Sequence, residues 1–174
     1  MTIARDASRA GLATVRLPVA MRDAIVAHAR TALPNEACGL IAGDRPAAIG
    51  GRPLRWIPTR SALASPYRFE IHPDDLLRQS LAIDNTGEVV WGIVHSHVAS
   101  PAQPSPSDVR EARHPAAVYL ICSLDPAEAD PTTGGPSLRG WRILNGAVDE
   151  LGIEVELEAE AGATPERGTA ASAR

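Results

Sequence analysis

Two histidines one residue apart, His95 and His97, with ten residues between His97 and Asp108, offer two imidazole nitrogens and one carboxylate oxygen. A catalytic Zn²⁺ uses such a set when one coordination position is left open, and a water can occupy that position. Residues i and i+2 of a strand point the same way, so both rings can face one ion at about 2.0 to 2.1 Å. The segment 98–107 holds three prolines and three serines, so it is a loop that can carry the carboxylate back to them. Hydrolysis also needs a proton acceptor for the water, and a metal-lowered water pKa of about 7 makes a carboxylate competent. Glu36 is the best candidate. It opens the otherwise apolar run Glu36 to Gly43, where an acid is costly unless the strand end faces a site or a partner.

These residues need elements to position them. Val19, Met21, Ile25, Val26 and Ala29 recur with helical spacing, predicting a helix over 18–32 that Pro34 stops. The Glu36 to Gly43 run predicts a buried strand closed by a Gly43-Asp44 turn, with 47–58 pairing back against it. Tyr67 to Ile71 alternates as a strand does, and His72-Pro73-Asp74-Asp75 has the proline and acids of a helix start, leading to about Asp84. Val89 to Val94 is β-rich and runs into His95, so the histidines sit at a strand exit. A short helix follows from about Ser105 to Arg113, then strands over 117–123 and 138–144, and an edge strand over 153–158. The expected class is a mixed α/β (α+β) domain, one sheet flanked by helices, over 15–158, with a flexible N-terminus over 1–14 and a disordered tail over 159–174.

Composition excludes several alternatives. The 174 residues suit one domain, and 17 basic against 21 acidic residues give a net charge of −4, which does not favour a nucleic-acid partner. Apolar stretches such as 116–122 fall far short of the roughly 20 residues a membrane-spanning helix needs, and nothing resembles a secretory leader, so the cytoplasm is expected. Cys38 and Cys122 form no CxxC and read as reduced thiols; Cys38 shares a face with Glu36 on a regular strand, yet a buried small hydrophobe is the commoner role. His72 and His114 stand beside prolines at helix boundaries and complete no ligand set. Trp56, Trp91 and Trp141 lie on expected strands and read as core. Ser105-Pro106-Ser107-Asp108 is also a good helix start. Capping and coordination are compatible if Asp108 caps with one oxygen and binds metal with the other.

The full pattern is an early-strand Glu36, then His95-Ser96-His97, seven residues, Ser105, two residues, Asp108. It resembles the JAMM (MPN-domain) zinc isopeptidases, whose motif is a glutamate followed by H-[ST]-H-x₇-S-x₂-D. The likeness runs from about Leu17 to Leu151 and includes the E-A-C-G-L-I-A-G, Y-R-F-E-I-H-P-D-D and W-R-I-L-N-G-A-V segments. It implies a cytidine-deaminase-like fold, one Zn²⁺ on His95, His97 and Asp108, Glu36 as acid/base, and Ser105 as hydrogen-bond donor to the developing oxyanion. A short stand-alone chain resembles the bacterial branch that cleaves after the C-terminal Gly-Gly of ubiquitin-like sulfur-carrier proteins, releasing cysteine or a lysine-linked protein. A Gly-Gly tail can lie extended beside a strand, and Tyr67, Phe69, Ser100 and Gln103 are the candidate lining.

Two other functions compete. The same fold serves as a non-catalytic interaction scaffold in chains that have lost the ligands, whereas all five motif residues are present here. A related branch linked to DNA repair carries H-N-H-P-S-G where this chain has His95-Ser96-His97-Val98-Ala99-Ser100, and net acidity offers no phosphate-binding surface.

Overall fold

Side-chain alternation along the central strands sends apolar residues to both faces, so the sheet they form must be covered on both sides. The computed structural model describes residues 14–157. Seven strands and three helices occur there: β1 (Thr14–Pro18), α1 (Val19–Ala32), β2 (Cys38–Gly43), β3 (Pro53–Thr59), α2 (Pro73–Asn85), β4 (Val89–His97), α3 (Pro106–Glu111), β5 (Val118–Ser123), β6 (Ser137–Leu144) and β7 (Ala147–Glu156). They make one mixed sheet in the order β1-β7-β6-β5-β4-β2-β3. The pairs β4–β5 and β1–β7 are parallel and the others antiparallel.

In β5, Val118, Leu120 and Cys122 join one apolar cluster while Tyr119 and Ile121 join the other. The first cluster takes Met21, Ile25 and Ala29 from α1, whose spacing of four residues forms a single buried stripe. The second takes Ile83 from α2 and has Val109 and Ala112 packed on it at α3. Burying a side chain such as Leu120 or Ile121 contributes about 1.5–3 kcal/mol. Trp91 is fully buried, and its indole N–H donates to the Gly51 carbonyl at 2.6 Å, tying the loop before β3 to the sheet. Trp141 is buried as expected, and Trp56 packs half-buried against the first cluster.

Four expectations need correction. A strand, β1, precedes the first helix; its Val15 and Leu17 are buried and it pairs with β7. That pairing makes β7 an interior strand, whereas 153–158 was expected to be an edge. Tyr67–Phe69 form no strand. Their segment is the tip of a loop closed at its base by a bridge between Ser61 and Ile71 and by the Ala62 N–H donating to the Glu70 carbonyl. Glu36 lies two residues before β2 instead of inside it. The expected tail 159–174 and, apart from Thr14, the expected flexible N-terminus lie outside the described residues.

The β4–β5 parallel pair has a consequence for the site. Parallel neighbours cannot be joined by a tight turn, so a crossover of a dozen or more residues must leave the end of β4. That crossover contains α3. Its N-terminus returns over the strand end from which the chain departed.

Candidate metal centre

His95 and His97 close β4 with side chains on one face, and both are buried. Their Nε2 atoms stand 3.2 Å apart, each 3.6 Å from Asp108 Oδ2. One ligand atom from each of the three residues lies within 4.8 Å of the others. His97 Nδ1 faces the Pro101 carbonyl at 2.6 Å, and since a carbonyl only accepts, Nδ1 carries the proton and Nε2 presents a lone pair. His95 has no such anchor: its Nδ1 is buried without a partner, and its ring is instead stacked on Phe69, 4.3 Å between centroids and 18° from parallel.

Asp108 arrives by helix capping. Ser105 is the N-cap of α3, Pro106 starts the helix, and the box closes both ways: Ser105 Oγ accepts the Asp108 N–H at 3.2 Å and Asp108 Oδ2 accepts the Ser105 N–H at 2.6 Å. The capping oxygen is thus the same Oδ2 that faces the imidazoles, not the other oxygen as expected. Its second lone pair remains for them. Burial works against the Asp108 carboxylate, but the two facing histidines more than offset it and hold its pKa well below the usual range. Burial lowers the pKa of His95; for His97 burial opposes protonation, while Asp108, the Pro101 carbonyl and Glu36 raise it.

This donor set fits a divalent cation. His97 Nε2 and Asp108 Oδ2 are electron-pair donors pointed at each other in a water-poor pocket, and His95 Nε2 converges on them. A proton or a metal must stand between them. Two nitrogens and one oxygen from three side chains leave a fourth tetrahedral position open, which is the composition of catalytic zinc sites.

Glu36 is 5% exposed and lies within the electrostatic reach of His97 and Asp108. Desolvation is the main cause of a pKa raised to about 7, with His97 pulling it down and Asp108 pushing it up. Its backbone is held from two sides: the Glu36 N–H donates to the Ser65 carbonyl at 2.9 Å, and the next amide, Ala37 N–H, donates to Ser96 Oγ at 2.8 Å. A carboxyl whose pKa burial brings near neutrality, within reach of the His97 imidazole, can both take and return a proton.

The remaining sequence candidates divide. Ser105 Oγ accepts from Asp108 N–H and shares a hydrogen bond of 2.9 Å with Ser107 Oγ, so its own proton can be directed outward when Ser107 is the donor. Phe69 reaches the centre through His95. Tyr67 is 84% exposed at the loop tip, and Ser100 and Gln103 lie exposed after β4. Ser100 is engaged through its carbonyl, which accepts from Ser123 Oγ at 2.7 Å. Cys38 is buried against Thr59, with Sγ 3.4 Å from its Oγ1, and burial pushes its thiol pKa up. Of the four expected lining residues only Phe69 borders the groove of about 280 Å³ beside the centre, where Ile71, Leu76 and Tyr119 join it with His95 and Asp108. Apolar residues from five separated segments make that groove, and no local spacing announces the rest of its lining.

A family profile described as prokaryotic homologs of the JAB domain matches residues 18–143. The chain is similar to the CysO-cysteine peptidase of Mycobacterium tuberculosis, 38% identical over 134 residues covering 76% of this chain and 85% of that protein. It is also similar to the desampylase of Haloferax volcanii, 34% identical over 110 residues covering 60% of this chain and 76% of the relative. Among solved structures, a protein from Desulfitobacterium hafniense superimposes with a TM-score of 0.69 at 36% identity, covering 84% of this chain and 96% of the other. With the motif residues converged and the match spanning both faces of the sheet, the chain belongs to the prokaryotic JAB (MPN) domain family.

Proposed function

We propose that this protein is a zinc-dependent hydrolase that cleaves the amide or isopeptide bond following the C-terminal Gly-Gly of a ubiquitin-like sulfur-carrier protein. The observation that carries the reading is the convergence of His95, His97 and Asp108 beside a buried, near-neutral Glu36. The similar proteins named above, a peptidase and a desampylase, support the class of reaction. In this reading His95, His97 and Asp108 hold one Zn²⁺. When bound, the ion would polarise the scissile carbonyl and make water acidic enough to deprotonate near neutral pH.

The chain's own residues supply the rest. Glu36 accepts the proton of the attacking water and returns it to the leaving nitrogen, a relay that its raised pKa suits. The Ser105 hydroxyl donates to the tetrahedral oxyanion, its oxygen fixed by the Asp108 amide. His97 is kept in the ligating tautomer by the Pro101 carbonyl. The groove beside Phe69 takes the extended tail; glycines at the scissile end need no side-chain room. No helix among the described residues is long and apolar enough to cross a membrane, and we assign the activity to the cytoplasm as part of the same proposal.

The experiment is incubation of the zinc-loaded protein with Gly-Gly-ended carriers bearing cysteine, lysine or glycine adducts, with products read by mass spectrometry. Release of the adduct with an intact carrier terminus is expected. Glu36→Ala should keep one zinc per chain and lose most turnover. A parent protein that binds zinc and cleaves none of the adducts would return the chain to the scaffold reading.

A further inference from the structure

We propose that Ser96, the residue between the two histidines, is a positioning residue for Glu36: its hydroxyl replaces its own carbonyl as acceptor for the Ala37 amide and so bends the chain out of the sheet at the site. The inference rests on the reading of Glu36 as proton acceptor and deepens it.

The register of β2 on β4 pairs Cys38 with His95, which places Ala37 opposite Ser96. The Ser96 N–H donates to the Ala37 carbonyl at 3.0 Å, as the antiparallel ladder requires. Residues in such a pair normally exchange both bonds, amide to carbonyl in each direction. Here the return bond runs from the Ala37 N–H to Ser96 Oγ at 2.8 Å, and β2 begins only at Cys38. The next amide, that of Glu36, is taken by the Ser65 carbonyl in the loop after β3. Successive amides of a strand point to opposite neighbours, so the Glu36 amide faces the β3 side, where the register would set it opposite Ser61; it goes to Ser65 instead, and with the ladder broken on both sides Glu36 is released from strand geometry.

Alternation along β4 sends the Ser96 side chain to the face opposite His95 and His97, so it is no metal ligand. It is fully buried, and Ala37 is 6% exposed, so neither group has water to fall back on. Serine provides an acceptor two bonds beyond Cα, within reach of the Ala37 amide. Catalytic rates are sensitive to misplacement of a reacting group by about 1 Å, so loss of this bond should reach turnover through Glu36.

The test compares the parent with Ser96→Ala, Ser96→Cys and Ser96→Thr. Zinc stoichiometry, kcat and KM on a sulfur carrier ending in Gly-Gly-Cys, and Ala37 amide exchange by NMR in the metal-free protein are measured for each. All four should bind one zinc. The alanine variant should lose about 10- to 100-fold in kcat, with KM within about twofold of the parent. The cysteine variant, which keeps the size but is a weak acceptor, should lose part of that, and threonine should restore it. In a Glu36→Gln background, Ser96→Ala should cost nothing further. Parent kcat in both the alanine and cysteine variants overturns the proposal, and if alanine does not fold, the cysteine variant decides. A parent that cleaves no conjugate refutes the proposed function but leaves the clamp to the exchange measurement: faster Ala37 exchange in the alanine or cysteine variant supports it, and unchanged exchange overturns it.

Discussion

Replacing Glu36 by glutamine should make the metal-free protein more stable at alkaline pH, by an amount the structure sets. Desolvation raises the Glu36 pKa from 4.5 to about 7, so the folded protein holds this proton across a window in which the unfolded chain has released it. Because the folded state binds more protons there, stability falls as pH rises from about 4.5 to about 7 and stays reduced above it. At 1.36 kcal/mol per pKa unit, the buried carboxylate costs about 3 kcal/mol at pH 8 and almost nothing at pH 4. Glutamine has the same shape and no charge. Urea unfolding of parent and Glu36→Gln in the presence of a chelator, at pH 5 and at pH 8, should therefore show the variant gaining about 2–3 kcal/mol at the higher pH and no more than about 0.8 kcal/mol at the lower. Zinc must be removed because a cation beside Glu36 would favour its charged form and erase the difference. Equal stabilities at pH 8 would mean that Glu36 is solvated in the metal-free protein, and the desolvation argument for its near-neutral pKa would fail.

The other expectations separate coordination, capping and packing. Asp108→Asn keeps an oxygen for the Ser105 amide and removes the anionic ligand; zinc stoichiometry should fall toward zero in a chelator competition, and because the facing histidines hold the carboxylate ionised, metal-free stability at neutral pH should fall as well. Ser105→Ala removes the acceptor of the Asp108 amide and the hydroxyl proton together, so about 1 kcal/mol of stability and on the order of 10²-fold in kcat should be lost, measured by denaturation and single-turnover cleavage. If the rate is unchanged while stability drops, Ser105 caps only. Trp91→Phe leaves the Gly51 carbonyl without its 2.6 Å partner in the core and should cost about 2–4 kcal/mol in urea unfolding, with the zinc centre unaffected.

The clustering of His95, His97 and Asp108 was legible because each of its signals is local. A two-residue spacing on a β-rich run aligned His95 with His97, and Ser105 to Asp108 read as a helix start whatever else it did. The sheet interior was legible for the same reason, since Val118 to Ser123 and Val89 to Val94 are apolar enough to demand burial on both faces. What failed depended on partners far away in sequence. β1 has only five residues, two of them buried, and exists because β7 offers it a ladder more than 130 residues later. Tyr67 to Ile71 alternates like a strand, but its hydrogen bonds go back to Ser61 and Ala62, so the loop closes on itself instead of joining the sheet. The position of Glu36 outside β2 goes with two hydrogen bonds, from the Ala37 amide to Ser96 Oγ and from the Glu36 amide to the Ser65 carbonyl, and the motif shows neither. The Phe69 stack on His95 had no signal of its own, although Phe69 was singled out for the neighbouring groove.

The order in which these constraints act explains why the centre lies where it does. Parallel pairing of β4 with β5 obliges the chain to leave the end of β4 by a long connection, and open α/β sheets collect their ligands at that end of the strands. A long connection is free to wander unless something ends it. Here the wandering stops at the Ser105–Asp108 box, which orders the first turn of α3 and fixes Asp108 Oδ2 while leaving one of its lone pairs toward the histidines. Helix initiation thus sets the carboxylate, strand pleating sets the imidazoles, and the break in the β2 ladder sets Glu36. Each device is a backbone hydrogen-bonding solution that a metal-free chain can reach, so the cation would find its ligands assembled and need not order them. The repulsive part of that arrangement, a desolvated Glu36 near the Asp108 carboxylate, is what binding of a divalent ion would relieve.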